Sequence, residues 1–309
     1  MTSLLDILAP VIAVIALGYG LARAGVITPA GETGISNLVF FATTPALLFR
    51  AMATTALPTV PDLQVMAAYF GPCLLLYGCW AAGRRILVGG GLAAAGIAAM
   101  GASFGNTVLL GIPIVDRAYG PAGLRLLVLI VSIHSALLFS FTTLLAEAGR
   151  GRADAAATLA ATARMMARNP IVLAIAAGIA CAAIGVRLPG PLDAALALLG
   201  AATTPAALIA VGAGLAVFRL GDSLAESAAI TAAKMIALPL AVWLAATRLL
   251  GLEPLAIAVA TVAAAMPTGT NVYIIARRYD VGVSNAAGAI LLSTLLAGLT
   301  VPLVIAGLR

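Results

Sequence analysis

The stretch ATTPA at residues 42–46 occurs a second time at residues 202–206, 160 positions further along the chain. Other breaker and charged residues keep the same spacing. These pairs are Pro10 and Pro170, Gly25 and Gly185, Asp62 and Asp222, and Arg117 and Arg277. Several matches at one offset, spread over four apolar segments, are not expected by chance even in an alanine-rich chain. The sequence is therefore predicted to contain an internal duplication that decides its fold.

The composition defines the class of protein. Of the 309 residues, 63% are hydrophobic and 9% are charged, compared with roughly 45–50% and about 25% in soluble domains. So few charged side chains cannot cover a water-soluble domain of this size, in agreement with a mean hydropathy of +1.14. The apolar segments are about 20 residues long and lack period-two alternation, which is typical of membrane-spanning helices and not of a transmembrane barrel. We predict an all-α polytopic membrane protein.

Ten candidate spans are separated by charged residues or by glycine and proline. They cover residues 5–23, 34–56, 62–82, 87–115, 122–146, 169–187, 192–217, 227–250, 254–276 and 282–306. The polar stretch 147–168 is predicted to be a cytoplasmic linker or amphipathic helix between a first repeat at 1–146 and a second at 169–309. Because each repeat has five spans, the second repeat enters the membrane from the opposite side. The two repeats are therefore predicted to be inverted.

The distribution of basic residues predicts the orientation. If the N-terminus is outside, ten bases face the cytoplasm: Arg23, Arg84, Arg85, Arg150, Arg152, Arg164, Arg168, Arg219, Arg277 and Arg278. The opposite side then holds six: Arg50, Arg117, Arg125, Arg187, Arg248 and Arg309. Since basic residues are enriched on the cytoplasmic side of membrane proteins, we expect both termini on the extracytoplasmic side of the cell inner (plasma) membrane.

Two spans carry helix breakers beside polar side chains. Residues 103–113 in span four read SFGNTVLLGIP, and residues 266–271 in span nine read MPTGTN. Proline removes a backbone donor and glycine loosens a helix, so both spans are expected to be interrupted. In transporters built from inverted repeats, interrupted helices meet near the bilayer midplane and bind the substrate there. We predict that helices four and nine are broken and cross each other.

The N-terminal ends of the second half-helices would direct unpaired N–H groups and a partial positive charge toward the crossing, which favours an anion such as a carboxylate. The predicted substrate-binding residues are Gly105, Asn106, Thr107, Pro267, Thr268, Gly269, Thr270 and Asn271. In the alternative interpretation, these segments only kink two helices, and their amide and hydroxyl groups bond to neighbouring helices.

Two ionisable residues within spans are candidates for a charge or proton relay. Lys234 lies about two turns inside span eight, where an ammonium group is costly; it requires a partner, a snorkelling route to the interface, or a role as counter-ion for the substrate. His134 lies in the middle of span five. It is either a proton relay or a neutral histidine that is hydrogen-bonded between helices.

Several classes of function are excluded by missing motifs. The sequence has no Walker motif for ATP, and its single histidine leaves no cluster for a metal ion. The bases are spread in ones and twos rather than forming a nucleic-acid patch. Every acidic residue lies at the end of a span, which argues against an intramembrane protease. We predict a protein that is not an enzyme and that needs no cofactor, metal or nucleic acid.

Four short motifs, in this order along the chain, carry a resemblance to a known family. They are PALLF at residues 45–49, GNTVLLGIP at 105–113, Asn169-Pro170 and MPTGTN at 266–271. Together they resemble the auxin efflux carrier family, the bacterial relatives of plant PIN auxin transporters, over nearly the whole chain. In the plant members, a Pro-Asn pair marks the crossover of span four. Its asparagine corresponds to Asn106, whereas Gly105 replaces its proline, and the proline of span nine corresponds to Pro267.

The resemblance also implies an architecture and a mechanism. Spans one, two, six and seven would form a scaffold that dimerises, and spans three to five and eight to ten a moving transport domain. The expected function is secondary transport of a small organic anion across the lipid bilayer, auxin-like or a dicarboxylate such as malate, by an elevator motion of a homodimer. The alternative is a sodium- or proton-coupled carrier of a neutral or sterol-like substrate, against which the absence of Asp and Glu beside the crossovers argues. A channel would lack saturable flux.

Overall fold

The computed structural model describes residues 4–54, 59–150, 154–216 and 224–308. Its helices are α1 (Leu4–Arg23), α2 (Pro29–Leu38), α3 (Thr44–Thr54), α4 (Val60–Leu87), α5 (Leu92–Ser103), α6 (Ile112–Ala148), α7 (Ala155–Arg168), α8 (Pro170–Ala183), α9 (Gly190–Leu215), α10 (Leu224–Ala232), α11 (Leu238–Leu244), α12 (Pro254–Ala264), α13 (Asn271–Tyr279) and α14 (Val283–Gly307). Four π-helical turns join or extend them, at Val39–Thr43, Thr107–Gly111, Ala233–Ala237 and Ala245–Leu249. The described residues contain no strand longer than a single bridge.

Six helical segments are long and apolar enough to cross a membrane. They are Pro29–Thr54, Asp62–Leu87, Thr107–Ala148, Gly190–Leu215, Leu224–Leu249 and Val283–Gly307. Four shorter apolar helices accompany them, at Ile12–Arg23, Leu92–Ser103, Pro170–Ala183 and Pro254–Ala264. Leucines in the middle of the long segments, such as Leu198 and Leu299, are exposed, as expected for surfaces that face lipid tails. The prediction of an all-helical polytopic membrane protein is confirmed at this level.

The predicted boundary between spans four and five coincides with a break in the backbone. The range given for α6 contains two helices that meet at Gly120, where φ is 62° and ψ is -159°. Glycine adopts this positive φ without strain, and Pro121 after it has no N–H group to satisfy. In the predicted linker 147–168, the chain forms helix α7 from residue 155. Four residues used in the repeat and charge arguments lie outside the described part of the chain: Arg152, Arg219, Asp222 and Arg309.

The first compact unit consists of the described residues within 1–63, 107–132 and 167–217. In it, α1 packs closely on α9, because a Cβ atom on Gly18 or on Gly212 would collide with the backbone of the other helix. Small residues permit such close approach in membrane helices. Arg125 forms a bidentate ion pair with Asp62, at 2.7 and 3.1 Å. This unit holds spans one, two, six and seven, and residues 107–132 in addition.

The second compact unit consists of the described residues within 64–106, 133–166 and 218–309. Part of its core is built from small side chains that bring α5, α10 and α14 together, namely Ala98, Ala102, Ile230, Ala233 and Ala289. Near one end of these helices, Arg84 pairs with Glu226 at 2.6 Å, and Asn285 donates to the same carboxylate. This unit contains residues 104–106 and 265–270, where the two predicted interruptions lie. The division into a scaffold and a transport domain stays a prediction. That division assigns residues 107–132 to the transport domain, whereas the compact units group them with spans one, two, six and seven.

Candidate functional site

Two helices are interrupted at the predicted places, and the interruptions pair with each other. Helix α5 ends at Ser103, and the backbone is extended at Phe104. Gly105 and Thr268 then form an antiparallel bridge. The amide of Asn106 donates to the carbonyl of Pro267 at 2.7 Å, and the amide of Gly269 donates to the carbonyl of Phe104 at 3.0 Å. We call residues 104–106 the first break and residues 265–270 the second break.

In each break, one further buried amide donates a hydrogen bond to a side chain of the next predicted span, which is span five for the first break and span ten for the second. The amide of Gly105 donates to Nε2 of His134 on α6 at 3.2 Å. The amide of Thr268 donates to Oγ of Ser293 on α14 at 3.0 Å. With the two bonds between the breaks, four amides of interrupted backbone have protein acceptors. This matters because an unpaired backbone group in the membrane interior costs several kcal/mol.

Near each break, a side chain of the preceding predicted span, span three or span eight, donates a hydrogen bond to a carbonyl group at the end of the short helix that leads into the break. The thiol of Cys73 on α4 donates weakly to the carbonyl of Ser103, with 3.7 Å between sulfur and oxygen. Nζ of Lys234 lies 2.5 Å from the carbonyl oxygen of Ala264, the last residue of α12. The hydroxyl of Thr268 in turn donates to the carbonyl of Gly101 at 3.0 Å. Each break therefore receives a donor from one neighbouring helix and an acceptor from another.

The environment of His134 determines the form of its ring. Because Nε2 accepts from the amide of Gly105, the proton of the neutral ring is on Nδ1, which lies 3.4 Å from the hydroxyl of Tyr69. The ring of Phe104 packs beside it at 4.6 Å between centroids. While both hydrogen bonds hold, the ring is neutral and structural. This is the second of the two interpretations of His134; a role in proton relay stays a prediction.

Lys234 does not snorkel to an interface. Its side chain is fully buried, and its nitrogen bonds to the end of α12. A Cβ atom placed on Gly105 would lie 3.4 Å from this nitrogen, so the ammonium group also lies beside the first break. The π-helical turn Ala233–Ala237 contains this residue, and such turns are frequent at functional sites because the added residue changes where side chains point.

The predicted site residues divide into three groups. Gly105, Pro267, Thr268 and Gly269 are buried and form the crossing itself. Asn106, Thr270 and Asn271 are partly exposed, and within the described residues the amides of Thr270 and Asn271 donate to no acceptor. Thr107 is buried, begins a π-helical turn and belongs to the first unit. Of the amides expected to point at an anion, those of Gly105, Asn106, Thr268 and Gly269 are thus used within the crossing.

Sequence reasoning missed Ser293 and Cys73. A signal for both was present in the predicted duplication. Subtracting the 160-residue offset from Ser293 gives the neighbour of His134, and adding it to Cys73 gives the neighbour of Lys234. When a polar residue within a span lies one position from the repeat equivalent of His134 or Lys234, it is therefore a candidate partner of the other break.

Two interrupted helices that cross within an all-helical membrane protein are typical of secondary transporters. The comparison with known proteins agrees. The chain matches the family described as membrane transport protein over residues 4–305, and it belongs to this family, the auxin efflux carriers, which confirms the resemblance seen in the sequence. It is also 27% identical over 304 residues to a protein of Rhizobium meliloti (strain 1021) named "Putative malonate transporter", an alignment that covers 97% of this chain and 94% of that protein.

Proposed function

We propose that this protein is a secondary carrier of small organic anions, with short dicarboxylates of the malonate and malate type as its first substrate class and auxin-like monocarboxylates as the second. The observation that carries the proposal is the pair of amides of Thr270 and Asn271 at the start of α13, next to the crossing, which have no acceptor among the residues that the structure describes. A helix N-terminus with unsatisfied amides binds a carboxylate through hydrogen bonds and a partial positive charge.

The side chains around these amides suit an anion that must be released again. Asn106, Thr270 and Asn271 are partly exposed and supply neutral hydrogen-bond donors. Neither break contains Asp or Glu, so no fixed negative charge repels a carboxylate. The name of the relative from Rhizobium meliloti points to a dicarboxylate, and we extend that substrate class to this chain as part of the proposal.

For the transport cycle, we propose an elevator motion. The second unit contains both breaks and their covering side chains as one compact body, so it can carry a bound anion without rearranging the crossing. The six long and four short apolar helices support a topology of ten spans in two inverted five-helix repeats. Dimerisation through the scaffold and termini on the extracytoplasmic side of the plasma membrane complete the proposal.

Uptake of radiolabelled malonate by proteoliposomes tests the function and the site together. Malate and indole acetate serve as competitors, and saturation with trans-stimulation distinguishes a carrier from a channel. Asn106→Ala should lower uptake about 10-fold or more, because a hydrogen bond to a charged ligand contributes about 1.5–3 kcal/mol. The matched control is Asn37→Ala, at an exposed asparagine of α2. Uptake by Asn106→Ala equal to that of the control would overturn the site assignment.

Pro267→Ala tests the second break. Alanine introduces a backbone N–H group at a buried position and removes the obstacle to continuing α12. We expect a large loss of uptake, whereas Pro72→Ala within α4 should lose little. Normal uptake by Pro267→Ala would show that the proline is not needed for the crossing.

A further inference from the structure

We propose that Lys234 is a tethered cation that occupies the place at the crossing where a mobile coupling cation would otherwise bind. This inference rests on the proposed carrier function. In carriers with interrupted helices, the C-terminal ends of half-helices and the carbonyls of unwound backbone coordinate sodium ions or protons. Here the side chain of Lys234 supplies the positive charge at such an end, so the site is already filled by the protein.

The geometry places the ammonium group between the two breaks. It lies 2.5 Å from the carbonyl oxygen of Ala264 at the end of α12. The position of a Cβ atom on Gly105 would be 3.4 Å from the same nitrogen and 3.5 Å from the carbonyl oxygen of Ala263. The nitrogen thus bonds to the carbonyl group that ends α12, lies beside the backbone of the first break, and is completely buried.

The electrostatics of this position favour a cation. The unpaired carbonyls at a helix C-terminus carry about half a negative elementary charge in total. The three ion pairs found among the described residues do not include Lys234, and neither break contains an acidic residue. The backbone carbonyls are therefore the groups that compensate a buried ammonium, whose presence in a span would otherwise be costly.

The other half of the molecule provides an internal reference. Cys73 is placed toward the end of α5 as Lys234 is placed toward the end of α12, but its thiol is a weak, neutral donor at 3.7 Å. If a donor of any kind were sufficient, the two positions would tolerate loss of their side chains equally. If a cation is needed, only Lys234 is sensitive, and its loss creates a site that small cations can enter.

Thermal unfolding of purified protein without substrate tests the inference independently of transport. Lys234→Ala removes the charge and leaves space, whereas Lys234→Met removes the charge and fills the space. We expect both variants to unfold at least about 5 °C below the wild type. Added sodium or methylammonium chloride should restore stability to Lys234→Ala more than choline chloride does. The same salts should leave the melting temperatures of Lys234→Met, the wild type and Cys73→Ala unchanged.

Uptake measurements then connect the cation to the carrier function. Wild-type malonate uptake should be equal in sodium and choline media, and Lys234→Ala should lose at least about 10-fold and recover in part with sodium or methylammonium. A melting temperature of Lys234→Met equal to that of the wild type would overturn the inference. So would a Lys234→Ala protein that responds equally to all three cations, or a wild type that requires sodium. If malonate is not transported at all, the proposed function fails, and the unfolding experiment still decides the role of Lys234.

Discussion

The two breaks use the same backbone arrangement with different side chains. Each follows a short apolar helix, pairs with the other through one bridge, and receives a donor from the span before the interrupted span and an acceptor from the span after it. At the first break, the donor is the thiol of Cys73 and the acceptor is the imidazole of His134. At the second, they are the ammonium of Lys234 and the hydroxyl of Ser293. The two breaks therefore have equivalent backbone requirements, which a thiol or an amine, and an imidazole or a hydroxyl, can meet.

The surroundings of the two breaks also differ. The first break is covered by rings, since Phe104 packs on His134 and His134 on Tyr69. The second break leads into α13, where the amides of Thr270 and Asn271 have no acceptor within the described ranges and the side chains of both residues are partly exposed. This contrast suggests a division of work in which the first break anchors the crossing and the second binds the anion.

The largest effect is expected from the acceptor of the first break. His134→Ala leaves the buried amide of Gly105 unpaired and empties the space of a ring, which together should cost about 3–5 kcal/mol of unfolding free energy. Ser293→Ala leaves only the amide of Thr268 unpaired and should cost about 1–3 kcal/mol. Thermal unfolding of the purified variants measures both.

His134→Gln serves as the control, because its amide oxygen can accept from the backbone and should recover part of the stability. Equal losses for His134→Ala and Ser293→Ala would show that the rings add nothing to the first break, and the proposed difference between an anchoring and a binding break would lose its basis.

An intermediate effect is expected from the two glycines. A Cβ atom on Gly269 would lie 2.6 Å from the ring of Phe104, whereas the nearest atom to one on Gly105 is 3.4 Å away. Gly269→Ala should therefore destabilise by about 1–3 kcal/mol through overpacking. Gly105→Ala meets only ordinary contacts and should stay within about 1 kcal/mol. The melting temperatures of the two variants decide the order, and the reverse order would contradict the close packing of the second break on Phe104.

The smallest effect is expected from the donor of the first break. The thiol of Cys73 makes a long, neutral hydrogen bond to the carbonyl of Ser103, so Cys73→Ala should lose about 1 kcal/mol and retain uptake. A loss as large as that of Lys234→Met, measured by the same unfolding assay, would mean that both halves need a strong donor at this position.

Much of the fold was predictable because the membrane leaves few choices. Ten apolar segments, and helix breakers within spans four and nine, indicated helices interrupted where Gly105 and Pro267 lie. The π-helical turns at Val39–Thr43 and Ala233–Ala237 were not predicted. One extra residue in a turn shifts the hydrophobic pattern, but a helix that is apolar on all faces gives no pattern to shift.

The candidate site was predictable by segment and not by atom. Seven of the eight residues proposed from sequence lie at or beside the crossing, and Thr107 belongs to the first unit. Thr268 and Gly269 use their amides within the crossing. Only the geometry shows this, and it shows that the amides of Thr270 and Asn271 have no acceptor within the described part of the chain. Similarly, the sequence marked Lys234 and His134 as unusual, whereas the structure shows that both groups bond to the breaks.

The sequence by itself determined that this is a helical membrane protein with two interrupted helices, and its motifs identified the family. These properties depend on composition, on spacing and on the positions of proline and glycine, all of which are given by the order of residues along the chain. The tertiary structure alone decided which group satisfies each interrupted amide and carbonyl. Those partners come from helices about 30 residues away, as with Lys234 and Ala264. Hydrogen bonds depend on distances of a few tenths of an ångström, which residue spacing does not contain.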